Sequence, residues 1–165
     1  MQTIAVIGAG PKGRAFCKTL AQAGFRVVLE DVMPSRLRDA SVELSSLTSG
    51  EVVFVTTVED AVRDADFAID FVPDELESKL ELVCMIDRMA PPKTIILIQT
   101  TALSVGDLAA CTYRAERCIG VRIGEGALSL VRGIKTADET YDAAAELTMQ
   151  AGWQVEALED RVVMM

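Results

Sequence analysis

Histidine is absent from this 165-residue chain. Its absence removes the side chain most often used as an acid or base near neutral pH, and the commonest metal ligand. Cysteine is sparse, and Cys17, Cys84, Cys111 and Cys118 form no C-x-x-C pair. Without histidine or a dense thiol or carboxylate cluster, no metal site is expected. In a reducing compartment the four thiols read as small apolar core residues. Positive charge is also in short supply: 16 Lys and Arg stand against 25 Asp and Glu, for a net charge of −9. No basic stripe exists to release counterions, which argues against nucleic acid and against an anionic membrane surface as partners. The apolar runs are strand-length and the N-terminus enters a strand at once. Neither a membrane span nor a signal peptide is therefore expected, and the expected location is the cytoplasm. Repeats, low-complexity segments and linkers are missing too.

Half of the residues are apolar, enough to build a real core, and residues 1–165 read as one domain. The most informative stretch runs from Thr3 to Asp31. A buried strand, Ile4-Ala5-Val6-Ile7, enters Gly8-Ala9-Gly10-Pro11-Lys12-Gly13, and a helix and a second strand ending in Glu30-Asp31 follow. This is the full context of a G-x-G-x-x-G dinucleotide turn. Gly8 permits the tight turn, Gly10 lets the backbone approach a pyrophosphate, and Gly13 lets the helix pack closely. Pro11 suits the first helical turn, whose free N–H groups meet the phosphates. Lys12 either lends charge to the pyrophosphate or points into water. Ala15, Phe16, Leu20 and Ala23 recur at helical spacing and form the expected packing face. Asp31 lies about 20 residues on, where a carboxylate accepts hydrogen bonds from the adenosine ribose and repels a 2′-phosphate. The expected cofactor is therefore NAD rather than NADP.

Beyond this unit, helices are expected over 34–47, 59–63, 75–89, 105–110 and 136–151. Strands are expected over 52–55, 67–72, 94–98, 118–123 and 153–158. In the helix of 75–89 the apolar residues Leu76, Leu80, Val83, Ile86 and Met89 keep helical spacing. Alternation of this kind implies an α/β fold with a doubly wound, mostly parallel sheet.

Further landmarks follow in order: Ala65-Asp66-Phe67-Ala68-Ile69-Asp70-Phe71-Val72-Pro73-Asp74, Ala90-Pro91-Pro92, Gln99-Thr100-Thr101-Ala102-Leu103-Ser104, Glu116-Arg117-Cys118-Ile119-Gly120 and Leu130-Val131-Arg132-Gly133. Together with the glycine turn they make the chain resemble the NAD-binding, Rossmann-like domain of the 3-hydroxyacyl-CoA dehydrogenases, from about Ile4 to Val155. The resemblance implies that Gly8, Gly10 and Gly13 form the phosphate turn and that Asp31 is the ribose acid. It places Asp74 and Lys79 near the nicotinamide half, where the family has a glutamate and a lysine. Thr101 falls where the family has a serine that meets cofactor and substrate. Lys79 reads equally as a solvated helix lysine, and Thr101 as a cap of a strand-to-helix turn.

Two departures bear on chemistry. The family's catalytic histidine falls at Arg122, and the glutamate that orients it falls at Arg132. A guanidinium, with a pKa above about 12, stays protonated and cannot act as the base. The helical insert that helps hold coenzyme A is short here, and the helical domain that closes the family's substrate cleft is not expected in the chain. The first expectation is an NAD(H)-binding protein, a sensor or cofactor subunit, that does not run the family reaction alone. The alternative is an active NAD-dependent oxidoreductase on a different, anionic substrate held by Arg122 and Arg132. The mundane reading pairs both arginines with surface acids such as Glu125. A homodimer or a separate partner polypeptide is expected to cover the open cleft.

Overall fold

The computed structural model describes residues 2–47 and 49–161. The elements are β1 (Thr3–Ile7), α1 (Pro11–Gln22), β2 (Arg26–Glu30), α2 (Pro34–Glu43), β3 (Glu51–Val55), α3 (Val58–Val62), β4 (Phe67–Asp70) and α4 (Leu76–Met89). There follow β5 (Ile95–Gln99), α5 (Val105–Ala110), β6 (Cys118–Ile123), β7 (Ala127–Val131), α6 (Asp138–Gln150) and β8 (Gln154–Leu158). The fold is α/β and Rossmann-like with mostly parallel strands, as the alternation implied. Its backbone contacts gather into two compact units.

The first unit, Met1–Val72 with Met89–Thr94, carries the strand order β3-β2-β1-β4. Its ladders are parallel. Every residue of β1 is buried, as a continuous apolar run covered on both faces requires. On β3, Val53 and Val55 line a groove beside α3, while Val52 and Phe54 line another with Ser41 of α2 and Leu44 just after it. Helical cover therefore lies on both faces of these strands. The buried stripe of α1 is Gly13, Phe16, Cys17, Leu20 and Ala21. Ala15 and Ala23 are exposed, contrary to expectation, because the Gly13 contact fixes which side of the helix meets the turn. The α2 helix stops at Glu43 rather than continuing to Leu47. Only Ala40 is buried along it, and the Ser45 hydroxyl bonds the Val42 carbonyl as the helix ends.

The second unit, Pro73–Arg88 with Ile95–Met165, carries β5-β6-β7-β8. Here β5–β6 and β7–β8 are parallel and β6–β7 is antiparallel. The β7 strand is not among the expected strands, although Gly124-Glu125-Gly126 between two apolar runs is a hairpin signal. The buried face of α4 is Lys79, Leu82, Val83, Ile86 and Asp87. Leu76 and Met89, expected on that face, are 53% and 40% exposed. Arg114 and Asp87 form a buried ion pair at 2.8 Å. The Tyr113 N–H also donates to Asp87, and Arg114 donates to the Asp87 carbonyl. Cys17 and Cys118 are buried as expected, but Cys84 is only half-buried and Cys111 is exposed.

Candidate cofactor site

The glycine turn in the first unit is built by sterics. Gly8 sits at φ +106°, a region that L side chains rarely adopt. Its N–H donates to the Glu30 carbonyl at 2.8 Å, joining the turn to β2. A Cβ on Gly13 would lie 1.9 Å from the Gly8 carbonyl oxygen, so α1 can pack on the turn only without one. Gly10 differs from both: its Cβ would meet nothing within 4 Å. The fold itself does not require glycine there, and the space beside it is open. Gly10 is the N-cap of α1, provides no side-chain cap, and is followed by Pro11 at the first position. The first N–H groups of α1 thus remain available to an anion. Lys12 is exposed beside them. Arg14, which sequence reasoning missed, donates to the Ala9 carbonyl at 2.9 Å and pairs with Glu43 at 2.7 Å, tying the turn to the end of α2.

Asp31 is 4% exposed just past β2. Its carboxylate accepts from the Ala9 N–H at 2.9 Å and from the Met33 N–H at 2.9 Å. Those two bonds leave acceptor capacity for a ribose hydroxyl, since a carboxylate offers about four lone-pair sites. Asp31 therefore orders the glycine turn from the end of β2. Arg36, half exposed, lies 3.5 Å from the same carboxylate. Next to Asp31, Glu30 is 4% exposed. Burial first, then the neighbouring Asp31 charge, push its carboxyl up to about 7.

The remaining candidates lie in the second unit. Asp74 accepts from the Thr100 hydroxyl, the Thr101 N–H at 2.9 Å, the Thr101 hydroxyl at 3.2 Å and the Ala102 N–H at 3.1 Å. Burial alone would raise the Asp74 carboxyl, but these bonds together hold it below the usual carboxylate range. Asp74 acts on the Thr100–Ala102 turn, and Thr101 keeps its hydroxyl exposed at that turn. Capping of α5 falls to Ser104, whose oxygen accepts from the Asp107 N–H. Lys79 is completely buried, so the solvated-lysine reading fails. Its ammonium reaches Oε1 of Gln99, the first residue of the Gln99–Ser104 landmark, at 3.4 Å.

The two arginines have different surroundings. Half-buried Arg122 donates from Nε to the Thr100 carbonyl at 3.3 Å, beside the Asp74 turn. Arg132 is exposed, pairs with Asp138 at 2.6 Å and lies 4.5 Å over the Tyr141 ring. Arg122 pairs across the β6–β7 ladder with Ser129, and Arg132 lies beyond the far end of β7. The structure does not bring them together. Among the described residues no group of histidine, cysteine or carboxylate side chains is disposed to hold a metal ion. No helix among them is long and apolar enough to cross a membrane.

A glycine turn feeding an uncapped helix, with an acid at the end of the next strand, defines a dinucleotide-binding domain of the Rossmann class. Residues 3–160 match the family described as 3-hydroxyacyl-CoA dehydrogenase, NAD binding domain. The chain belongs to that family, and its cofactor is NAD. It is 29% identical over 181 residues to the 3-hydroxybutyryl-CoA dehydrogenase of Bradyrhizobium diazoefficiens, covering 97% of this chain and 62% of that one. It is 32% identical over 164 residues to the probable 3-hydroxybutyryl-CoA dehydrogenase of Bacillus subtilis, covering 85% and 56%. The crystal structure of (S)-3-hydroxybutyryl-CoA dehydrogenase from Ralstonia eutropha superposes with a TM-score of 0.90 at 23% identity, covering 98% of this chain and 64% of that one. An NAD⁺-dependent 5-formyl-3-hydroxy-2-methylpyridine 4-carboxylic acid 5-dehydrogenase gives 0.87 at 26% identity, covering 98% and 59%. The chain thus spans about three-fifths of the length of these relatives.

Proposed function

We propose that this chain serves as the cofactor-holding part of a dehydrogenase-type system and does not by itself oxidise 3-hydroxyacyl-CoA thioesters. The observation behind the reading is chemical. The sequence contains no histidine, and Arg122, near the end of β6, falls where the family resemblance puts the base. Its guanidinium stays protonated at neutral pH. Bound NAD supplies hydride chemistry; the residues hold and orient it. On this reading the Gly8–Gly13 turn and the first N–H groups of α1 bind the phosphates and Asp31 binds the ribose. Asp74 holds the Thr100–Ala102 turn and buried Lys79 meets Gln99. A second copy or a separate polypeptide then supplies the missing acid–base group.

Calorimetric titration with NAD⁺, NADH and NADP⁺, followed by an assay on 3-hydroxybutyryl-CoA, tests this. Micromolar NAD(H) binding with weaker NADP⁺ binding and no turnover is the expected outcome. A positioned acid or base contributes about 10²- to 10⁴-fold in rate, so robust NADH production by the purified chain would overturn the proposal.

One observation favours a second reading, an oxidoreductase acting on an anionic substrate. Among the described residues no carboxylate pairs with Arg122, which leaves guanidinium donors for a substrate carboxylate or phosphate beside the Thr100 turn. Arg132, taken by Asp138 and Tyr141, lends this reading no support. If it holds, Arg122→Ala abolishes binding of the anionic substrate and leaves NAD affinity unchanged.

A further inference from the structure

Two of the four thiols lie apart from the cofactor residues and close to each other. Cys84 projects from the middle of α4, and its Sγ lies 3.6 Å from the backbone carbonyl of Cys111, the residue that caps the end of α5. Cys111 is exposed and Cys84 half-buried. One turn further along α4, the buried Asp87–Arg114 pair and the Tyr113 N–H bond fasten the helix to the segment just after Cys111. The two cysteines are therefore held in register by contacts that do not involve sulfur.

We propose that Cys84 and Cys111 are an oxidisable pair that closes into an intramolecular disulfide, stapling α4 to the end of α5. The Cys111 Sγ now rests 3.5 Å from the Asp107 carbonyl. Closing the bond needs that side chain to turn away from it, a rotamer change open to an exposed group. The oxidant is a hydroperoxide. The Cys111 thiolate attacks its terminal oxygen, the O–O bond breaks, an alcohol or water leaves, and a sulfenic acid forms. The Cys84 sulfur then attacks the Cys111 sulfur, forming S–S and breaking S–O, with water as the product. Two thiols lose two electrons and the peroxide gains them. Exposed Cys111 is the sulfur that meets the peroxide first, because burial first, and then the nearby Cys111, raise the half-buried Cys84 thiol above the ordinary range and make it the less reactive of the two. Asp74 lies just before α4, and the Thr100–Ala102 turn that it holds lies just before α5. The staple thus ties together the two elements whose leading ends meet at that turn.

Treating the purified chain with a slight excess of hydrogen peroxide, then mapping peptides without reductant, tests the proposal. The expected product is a monomer lighter by two hydrogens, with the Cys84 and Cys111 peptides linked and a raised melting temperature, all reversed by dithiothreitol. Cys84→Ser should instead trap a sulfenic acid at Cys111, detected as its dimedone adduct. Cys111→Ser should leave Cys84 without adduct or link. A crosslink between chains, a link to Cys17 or Cys118, or dimedone adducts on both residues of the wild-type protein with no link would overturn it.

Discussion

At the scale of single residues, the three glycines of the turn separate into different physical roles. Gly13 serves the fold, since a Cβ would lie 1.9 Å from a backbone oxygen that cannot move aside cheaply. Gly10 does not serve the fold, since its Cβ would meet nothing within 4 Å, and on the proposed reading it leaves that space to the ligand. Gly10→Val should therefore abolish NAD binding in a calorimeter while shifting the denaturation midpoint little, and Gly13→Ala should lower the midpoint markedly. Asp31 holds the turn through the Ala9 N–H, and on the proposed reading the same carboxylate also serves the ribose. Asp31→Ser is expected to weaken NAD⁺ binding and to move the NAD⁺/NADP⁺ affinity ratio toward NADP⁺ by about tenfold or more. Arg36, released from its partner, would then face the 2′-phosphate. An unchanged ratio would mean that Asp31 does not face the ribose.

At the scale of elements, the polar fastenings are made between residues far apart in sequence. Asp87 in the last turns of α4 holds Arg114 after α5 in a buried pair whose members are 5% and 11% exposed at the side chain. Removing one partner leaves the other charge buried and uncompensated, which typically costs about 3–5 kcal/mol. Arg114→Ala should show a loss of that order in urea denaturation. Asp74 fastens a second junction through its bonds to Thr100, Thr101 and Ala102. Asp74→Asn should loosen that turn, seen as faster hydrogen exchange at the Thr101 and Ala102 amides, with little change in global stability because the residue is exposed. Neither junction was legible in the sequence. The α4 stripe read as apolar, and Lys79 and Asp87 take places on its buried face that apolar spacing assigned to Leu76 and Met89. A lysine and an aspartate become inward residues only when other segments bring Gln99 and Arg114 to them.

At the scale of the whole molecule, buried Glu30 makes stability depend on pH. Its carboxyl is raised from an ordinary 4.5 to about 7 in the folded protein. Between those values the folded state binds the proton that the unfolded state has lost, so stability falls as pH rises through that window, and the penalty is complete above it. Glu30→Gln should therefore stabilise the protein by roughly 2 kcal/mol above neutrality, at about 1.4 kcal/mol per pKa unit less some solvent screening. Well below pH 4.5 the substitution should change little. Denaturant titrations of both proteins at acidic and mildly alkaline pH give the comparison, and an equal effect at both would remove Glu30 as the cause.

What the sequence determined by itself is what local chemistry enforces. The glycine turn, Pro11 at the helix start and the alternation of strand and helix follow from backbone sterics and short-range periodicity, so the α/β class and the dinucleotide turn could be read directly. The absence of histidine likewise limits the chemistry whatever the fold. The tertiary structure decided the partners. It buried Lys79, gave Asp74 a turn to hold, set Arg132 against Asp138 and Tyr141 and Arg122 against the Thr100 carbonyl, and paired β7 antiparallel to β6. It also brought Cys84 close to Cys111, although they are 27 positions apart. These outcomes depend on which distant segments pack together, and a side chain's partner is fixed only when both segments are in place.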